Sequence, residues 1–276
     1  MFPVGSGNTN PVPTGASVRS SAARAARAGG RRSGRMAAEP SPTIREDPVQ
    51  VQVRHQPSFA VARCLLAPGE PLRVESGAML ATSWGVQIEA SVQGGLLKGL
   101  KRAALGGESL FVTTYTAPQG GGWVDVAANL PGDIVTVGIT PQAPFFITRG
   151  CWIANSHGVE IETRFAGAQN LFGGEGGFVI QASGEGDVVL GAYGAVDTLE
   201  LAPGEAVTVD SGHVVAYDAS VQSRLRRAVE GRSLQSMKSG EGFVFDFAGP
   251  GRVMIQARNP RALISWLTAE LPFSRG

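Results

Sequence analysis

The sequence predicts an all-β protein: a single pseudo-threefold β domain of three repeats of about 65 residues, followed by a short C-terminal helix. Three observations predict it. Phrases recur in the same order along the chain. Gly is abundant, with 38 residues, and charge is low at 17%. Short Val, Ile and Phe runs alternate with polar residues between Gly-rich turns, which is the pattern of half-buried strands. With 43% apolar content the 276 residues can bury a sizeable core. No stretch approaches 18 consecutive apolar residues, so no membrane-spanning helix is expected.

Residues 1–47 are expected to be a disordered Arg-, Ala- and Ser-rich extension. The first 38 residues carry six arginines (Arg19, Arg24, Arg27, Arg31, Arg32 and Arg35) and no acid. With almost no large apolar side chain, the stretch cannot offset its ordering entropy. Arg and Ser enrichment without acids is the signature of an organelle transit peptide, and Arg24, Arg27 and Arg31 stand at helical spacing. The alternatives are a plain extension, or one upstream of a true start at Met36. The rest of the chain holds 18 basic and 23 acidic residues. An acidic body argues against nucleic acid as a partner, which needs a basic footprint.

The β domain is expected over residues 48–258. "APGEPLRVESGAMLATS" (67–83) returns as "APGEAVTVDSGHVVAYD" (202–218), with a weaker copy in "LPGDIVTVGITPQAPFFITRGCWIANS" (130–156). In this alignment the acids are Glu70, Asp133 and Glu205, and the closing segments are Gly77–Ala81, Gly150–Ala154 and Gly212–Ala216. Pro-Gly-acid is turn chemistry, with Pro presetting φ and Gly tolerating positive φ. A second phrase places a Gly-Glu pair before a strand with an early Phe: Glu108 and Phe111, Glu175 and Phe178, Glu241 and Phe243. A third carries Gly-rich turns into strands: "GGGWVDVAA", "GEGDVVLGAYG" and "GPGRVMIQAR".

Longer segments interrupt the strands before each Gly-Glu pair. The first sets Leu96, Leu97 and Leu100 beside Lys98, Lys101 and Arg102. The second carries Leu171 and Phe172, and the third Arg224, Arg226 and Arg227. These residues form the candidate interaction surface. Apolar side chains flanked by Lys and Arg suit an anionic membrane surface or a partner protein. They equally suit covering loops whose apolar groups pack on the core. A C-terminal helix is expected over 259–272, with Asn259 as N-cap, Pro260 at the first helical position and Pro272 ending it. Its stripe of Leu263, Trp266, Leu267 and Leu271 predicts docking on the β body or a neighbouring subunit, with Trp266 in a core.

Chemistry-bearing patterns are sparse. His55, His157 and His213 fit no metal motif, so no metal site is expected. Asp210-Ser211-Gly212-His213 invites a triad reading, but the matching first-copy residues are Glu75-Ser76-Gly77-Ala78. Cys64 and Cys151 sit in apolar runs and read as buried free thiols. Glu108, Glu175 and Glu241 are read as repeated structural acids. No catalytic residue and no cofactor are assigned, and the protein is not expected to be an enzyme.

Several motifs in order carry a family resemblance: "SGAMLAT", "GGLLKGLKRAALGGESLF", "LPGDI", "GEGGFVIQASGEGDV", "YGAV", "VDSGHVVAYD" and "FAGPGRVMIQARNP". Residues 50–272 resemble the altered-inheritance-of-mitochondria twenty-four family, on its prokaryotic-type branch. The resemblance implies an all-β fold of the tryptophan RNA-binding attenuation protein-like, double-stranded β-helix type. The family has no established enzymatic activity, and its fungal member supports a membrane-organising complex at the mitochondrial inner membrane. The expectation is therefore a non-enzymatic scaffold or interaction protein with protein partners or self-association. Its place would be the mitochondrion, with chloroplast or cytoplasm as alternatives. The other reading is a small-ligand or cation-binding β module.

Overall fold

A computed structural model describes residues 49–92, 111–165, 178–228 and 242–271. Strand β1 (Gln50–Arg54) opens them. A first set of six follows: β2 (Val61–Leu66), β3 (Pro71–Glu75), β4 (Met79–Thr82), β5 (Gln87–Val92), β6 (Phe111–Thr116) and β7 (Gly122–Val126). The second set is β8 (Ile134–Ile139), β9 (Phe145–Thr148), β10 (Trp152–Ser156), β11 (Val159–Phe165), β12 (Phe178–Gly184) and β13 (Gly186–Gly191). The third is β14 (Val196–Leu201), β15 (Ala206–Asp210), β16 (Val214–Asp218), β17 (Gln222–Arg227), β18 (Phe243–Ala248) and β19 (Gly251–Gln256). Helix α1 (Pro260–Glu270) closes the described chain. The predicted all-β class with a C-terminal helix is what forms.

Every strand pair is antiparallel, and each set pairs in the same way. The second and fourth strands flank the fifth, as β3-β6-β5, β9-β12-β11 and β15-β18-β17. The first and third flank the sixth, as β2-β7-β4, β8-β13-β10 and β14-β19-β16. Two junctions then fuse the sets. β3 pairs with β10, and β9 pairs with β16, making two six-stranded sheets that each draw half their strands from successive sets. Among the described residues β4 and β15 are not paired with each other. The pairing therefore runs as an open row, where a closed pseudo-threefold object would join the third set to the first.

Hydrophobic alternation builds the core. In β2 and β3 every second residue is buried, so Ala62, Cys64, Leu66, Leu72 and Val74 face inward. Strand β10 is buried along its whole length because both of its edges and both of its faces are covered. The first core gathers β2, β3, β6 and β7, and takes Ile153, Ala154 and Val189 from the second set. The second core, around Phe145, Ile147 and Trp152, takes Val215, Ala216 and Met254 from the third. The third core is smaller: Val209, Tyr217, Phe245, Phe247 and their neighbours. Among the described residues it takes nothing from a following set.

Turn chemistry explains the repeated phrase. Gly69 and Gly204 adopt φ of 74° and 87°, as the Pro-Gly turns require. Glu70 and Glu205 then fold back, accepting hydrogen bonds from the amides of Ala67 at 2.7 Å and Ala202 at 2.8 Å. Asp133 does not share that place. It precedes β8, the first strand of its set, whereas Glu70 and Glu205 precede second strands. Its Oδ1 accepts from the Gln56 side chain and the Ile134 amide instead. The second set reaches its second strand through Thr140–Pro144, a turn without the Pro-Gly-acid phrase.

Candidate interaction surface

The Arg-bearing strand β17 belongs to the three-stranded sheet β15-β18-β17. Register places Thr208, Asp246 and Arg224 side by side across it. Arg226 reaches the same acid with two hydrogen bonds, Nε to Oδ2 at 2.6 Å and Nη2 to Oδ1 at 3.0 Å. Thr208 donates to Oδ1 at 2.7 Å. The Arg226 bond, then that of Thr208, hold the Asp246 carboxyl below the usual carboxylate range. Arg226 is thereby committed to its own sheet, while Arg224 and Arg227 are exposed. Leu96, Leu97, Lys98, Leu100, Lys101, Arg102, Leu171 and Phe172 lie outside the described residues, as do Glu108, Glu175 and Glu241.

A different apolar surface stands at the first set. Leu80 in β4, Trp84 in the following turn and Ile88 in β5 are all exposed, Trp84 at 99%. Next to them β7 carries an ion cluster that the sequence reading missed. Asp125 is gripped by Arg63 (Nε to Oδ1 and Nη2 to Oδ2, both 2.8 Å) and by Arg54 (Nη2 to Oδ2, 2.8 Å). The Arg63 hydrogen bonds lead the causes that lower the Asp125 carboxyl, against an opposing effect of burial. Arg63 also lies over the Trp123 ring at 3.9 Å. A signal existed: "WVDVAA" puts an acid where the matching strands carry Val189 and Met254.

Helix α1 forms as its caps predict, with the Asn259 side chain accepting from the Arg261 amide at 2.9 Å. Its stripe is not buried as expected. Leu263 and Leu267 are half-buried, but Ile264, Trp266 and Leu271 are exposed, Trp266 at 59%. The helix has no fully buried residue, so Trp266 is not a core side chain.

The triad pattern resolves into structure. Asp210 Oδ1 accepts from the Gly212 amide, capping a single 3-10 turn at Ser211–His213. His213 Nδ1 donates to the Gln256 carbonyl oxygen at 2.7 Å. Among the described residues no group of three or more His, Cys, Asp or Glu is placed to hold a metal. Cys64 and Cys151 are free and buried, and burial pushes both thiols up to about 12. No described helix is long and apolar enough to cross a membrane.

Residues 51–258 match the family model described as Mitochondrial biogenesis AIM24. An uncharacterized protein of Streptococcus pyogenes serotype M6 is 28% identical over 225 residues, spanning 78% of this chain and 88% of that protein. A crystal structure of a Streptococcus pyogenes protein superposes with a TM-score of 0.69 at 26% identity, covering 81% of this chain and all of that one.

Proposed function

Since the chain belongs to the mitochondrial biogenesis AIM24 family, we propose that it is a non-enzymatic scaffold that supports a membrane-organising complex. The observation that carries this reading is the exposure of Trp84 and Trp266, two of its four tryptophans, together with Leu80, Ile88 and Ile264. Large exposed apolar side chains mark interaction sites, and Trp is the residue most enriched among those that dominate binding. The Arg-rich residues 1–47 act as a transit peptide in this reading, taking the chain to the mitochondrion. Lys98, Lys101, Arg102 and Arg224 then supply positive charge toward an anionic membrane surface.

The test is localisation and membrane partition of the full chain with a C-terminal tag, beside a version that starts at Met36. The expected outcome is organelle entry, loss of the N-terminal segment and sedimentation with membranes for the full chain only. Both versions remaining soluble and unprocessed would overturn the reading. Flotation with anionic vesicles isolates the lipid part: changing Lys98, Lys101 and Arg102 together to Glu should abolish binding, and unchanged flotation removes that surface from the proposal.

A further inference from the structure

Strands β10 and β16 each lie between two neighbours: a partner in their own set and the second strand of the preceding set. β4 is built to the same plan. All three carry a bulge against their own partner, at Met79/Ala81, Trp152/Ala154 and Val214/Ala216. At the end of each, a side chain accepts an amide of the sixth strand, from the last residue of β10 and β16 and the residue just after β4. Ser83 Oγ accepts from Trp123, Ser156 Oγ from Asp187 and Asp218 Oδ2 from Arg252, at 3.0, 3.0 and 2.7 Å. Yet among the described residues β4 pairs with β7 alone. Burial follows the missing neighbour. Ile153 and Val215, at the bulge, are 1% and 0% exposed, and the third such residue, Leu80, is 54% exposed. Ala154 and Ala216 are fully buried, while Ala81 is exposed.

The other end of the row has the complementary gap. β15 corresponds to β3 and β9, which each take a strand from the next set, but among the described residues β15 pairs only with β18. The third core accordingly contains no residue from a following set among the described residues. We propose that β4 of one copy of this chain pairs antiparallel with β15 of a second copy, joining copies head to tail. The two internal junctions set the register. They place Val74 opposite Ala154 and Ile147 opposite Ala216, so Ala81 falls opposite Val209, Thr82 opposite Thr208 and Ser83 opposite Val207. Leu80 enters the third core as Ile153 enters the first. The Thr82–Thr208 pair is a favourable cross-strand match. Both open edges, which otherwise invite indiscriminate pairing, are covered by one contact.

One position differs from the internal junctions. Asp125 stands where Val189 and Met254 pack into the preceding core. Its carboxylate is already matched by Arg63 and Arg54, so it brings a closed ion cluster to the seam. Such a contact is heterologous: it grows into a ring if the rotation closes and into an open row if it does not. The inference goes beyond the scaffold reading and stands without it.

Disulfide trapping tests the register, because directly opposed residues place their Cβ atoms within about 4.5–5.5 Å. Native Cys64 and Cys151 are buried and stay silent. Full-length chains carrying Thr82→Cys or Thr208→Cys are mixed and oxidised. The expected product is a two-chain species that needs both variants, and a ladder of multiples from the double variant. Disulfides formed by either single variant with itself, or none in the mixture, overturn the proposal. Light scattering reads the assembly independently. The unmodified chain should give a multiple of 28.6 kDa, and Leu80→Glu should weaken association by roughly tenfold or more with an unchanged circular dichroism spectrum. A single-chain mass across the accessible concentration range overturns it, as does a Leu80→Glu chain that folds and still assembles like the parent. If Leu80→Glu fails to fold, the trapping result decides alone.

Discussion

Ile153, Val215 and Leu80 stand at the same bulge in three successive strands, so truncating each to Ala compares one position in three surroundings. Ile153→Ala removes three buried carbons, about 2.4 kcal/mol of transfer free energy at ~0.8 kcal/mol each. With the cavity left between β10 and the first core the loss should reach about 3.5 kcal/mol, inside the ~2–5 kcal/mol range of such changes. Val215→Ala removes two carbons and should cost about 2–2.5 kcal/mol by the same reasoning. Leu80→Ala also removes three carbons, but half the side chain is already in water. No closed cavity forms, and the loss should be about 1 kcal/mol. At ~2–4 °C per kcal/mol for a domain of this size, the melting temperature should fall by roughly 7–14, 4–10 and 2–4 °C respectively. The assay is thermal and guanidinium unfolding at a concentration where the chain is single. If Leu80→Ala costs as much there as Ile153→Ala, β4 is covered within its own chain, and the burial argument made from it fails.

Asp125→Asn should cost about 1–3 kcal/mol, since it removes charged hydrogen bonds from both Arg54 and Arg63. The Asp125 carboxyl is lowered in the fold, so its contribution is complete above the unfolded value near ~3.9 and is lost as pH falls through the folded value. Parent and variant should therefore differ by a constant amount at neutral pH and converge in acid, as read by urea titrations at several pH values. An aromatic disulfide reagent at pH 8 should leave Cys64 and Cys151 unmodified in the native chain, their thiols being raised to about 12, and modify both after denaturation. Rapid native labelling of both would contradict their burial. Gly132→Ala should cost ~3 kcal/mol or more, because a Cβ there collides with the main chain of Ala192 and Gly194. A stability within ~0.5 kcal/mol of the parent would show that the Gly132–Gly194 bridge yields easily.

Much of the fold was legible because turn and strand chemistry are local. The strands with an early Phe are β6, β12 and β18, the Gly-rich phrases fall on β7, β13 and β19, and the closing Ala residues on the bulged strands. The alignment slipped at Asp133 because Pro-Gly-acid is a turn that can precede any strand. Tertiary pairing, not the turn, decides which strand it opens. Leu80 could not be told from Ile153 and Val215 in the sequence, since all three are aliphatic and sit in the same phrase. Only the strand order separates them, through the neighbour that β4 lacks. The same limit applied to Trp266: its helical spacing was correct, but periodicity says which residues share a face and not whether anything covers that face. Arg226 was legible as a cation, and its commitment to Asp246 depended on a cross-strand register that sequence patterning does not carry.

The exchange of strands at β3–β10 and β9–β16 means that the seams in the sequence are not seams in the fold. A fragment ending near Ala128 would leave the first core without Ile153, Ala154 and Val189, and one beginning at Ile134 would strip β10 of its outer neighbour. Each third of the chain is thus an incomplete object, finished only by its successor. Limited proteolysis should release no stable third, and heat should melt the three together. Among the described residues the strands left unfinished are the third of the first set at one end and the second of the last set at the other, β4 and β15.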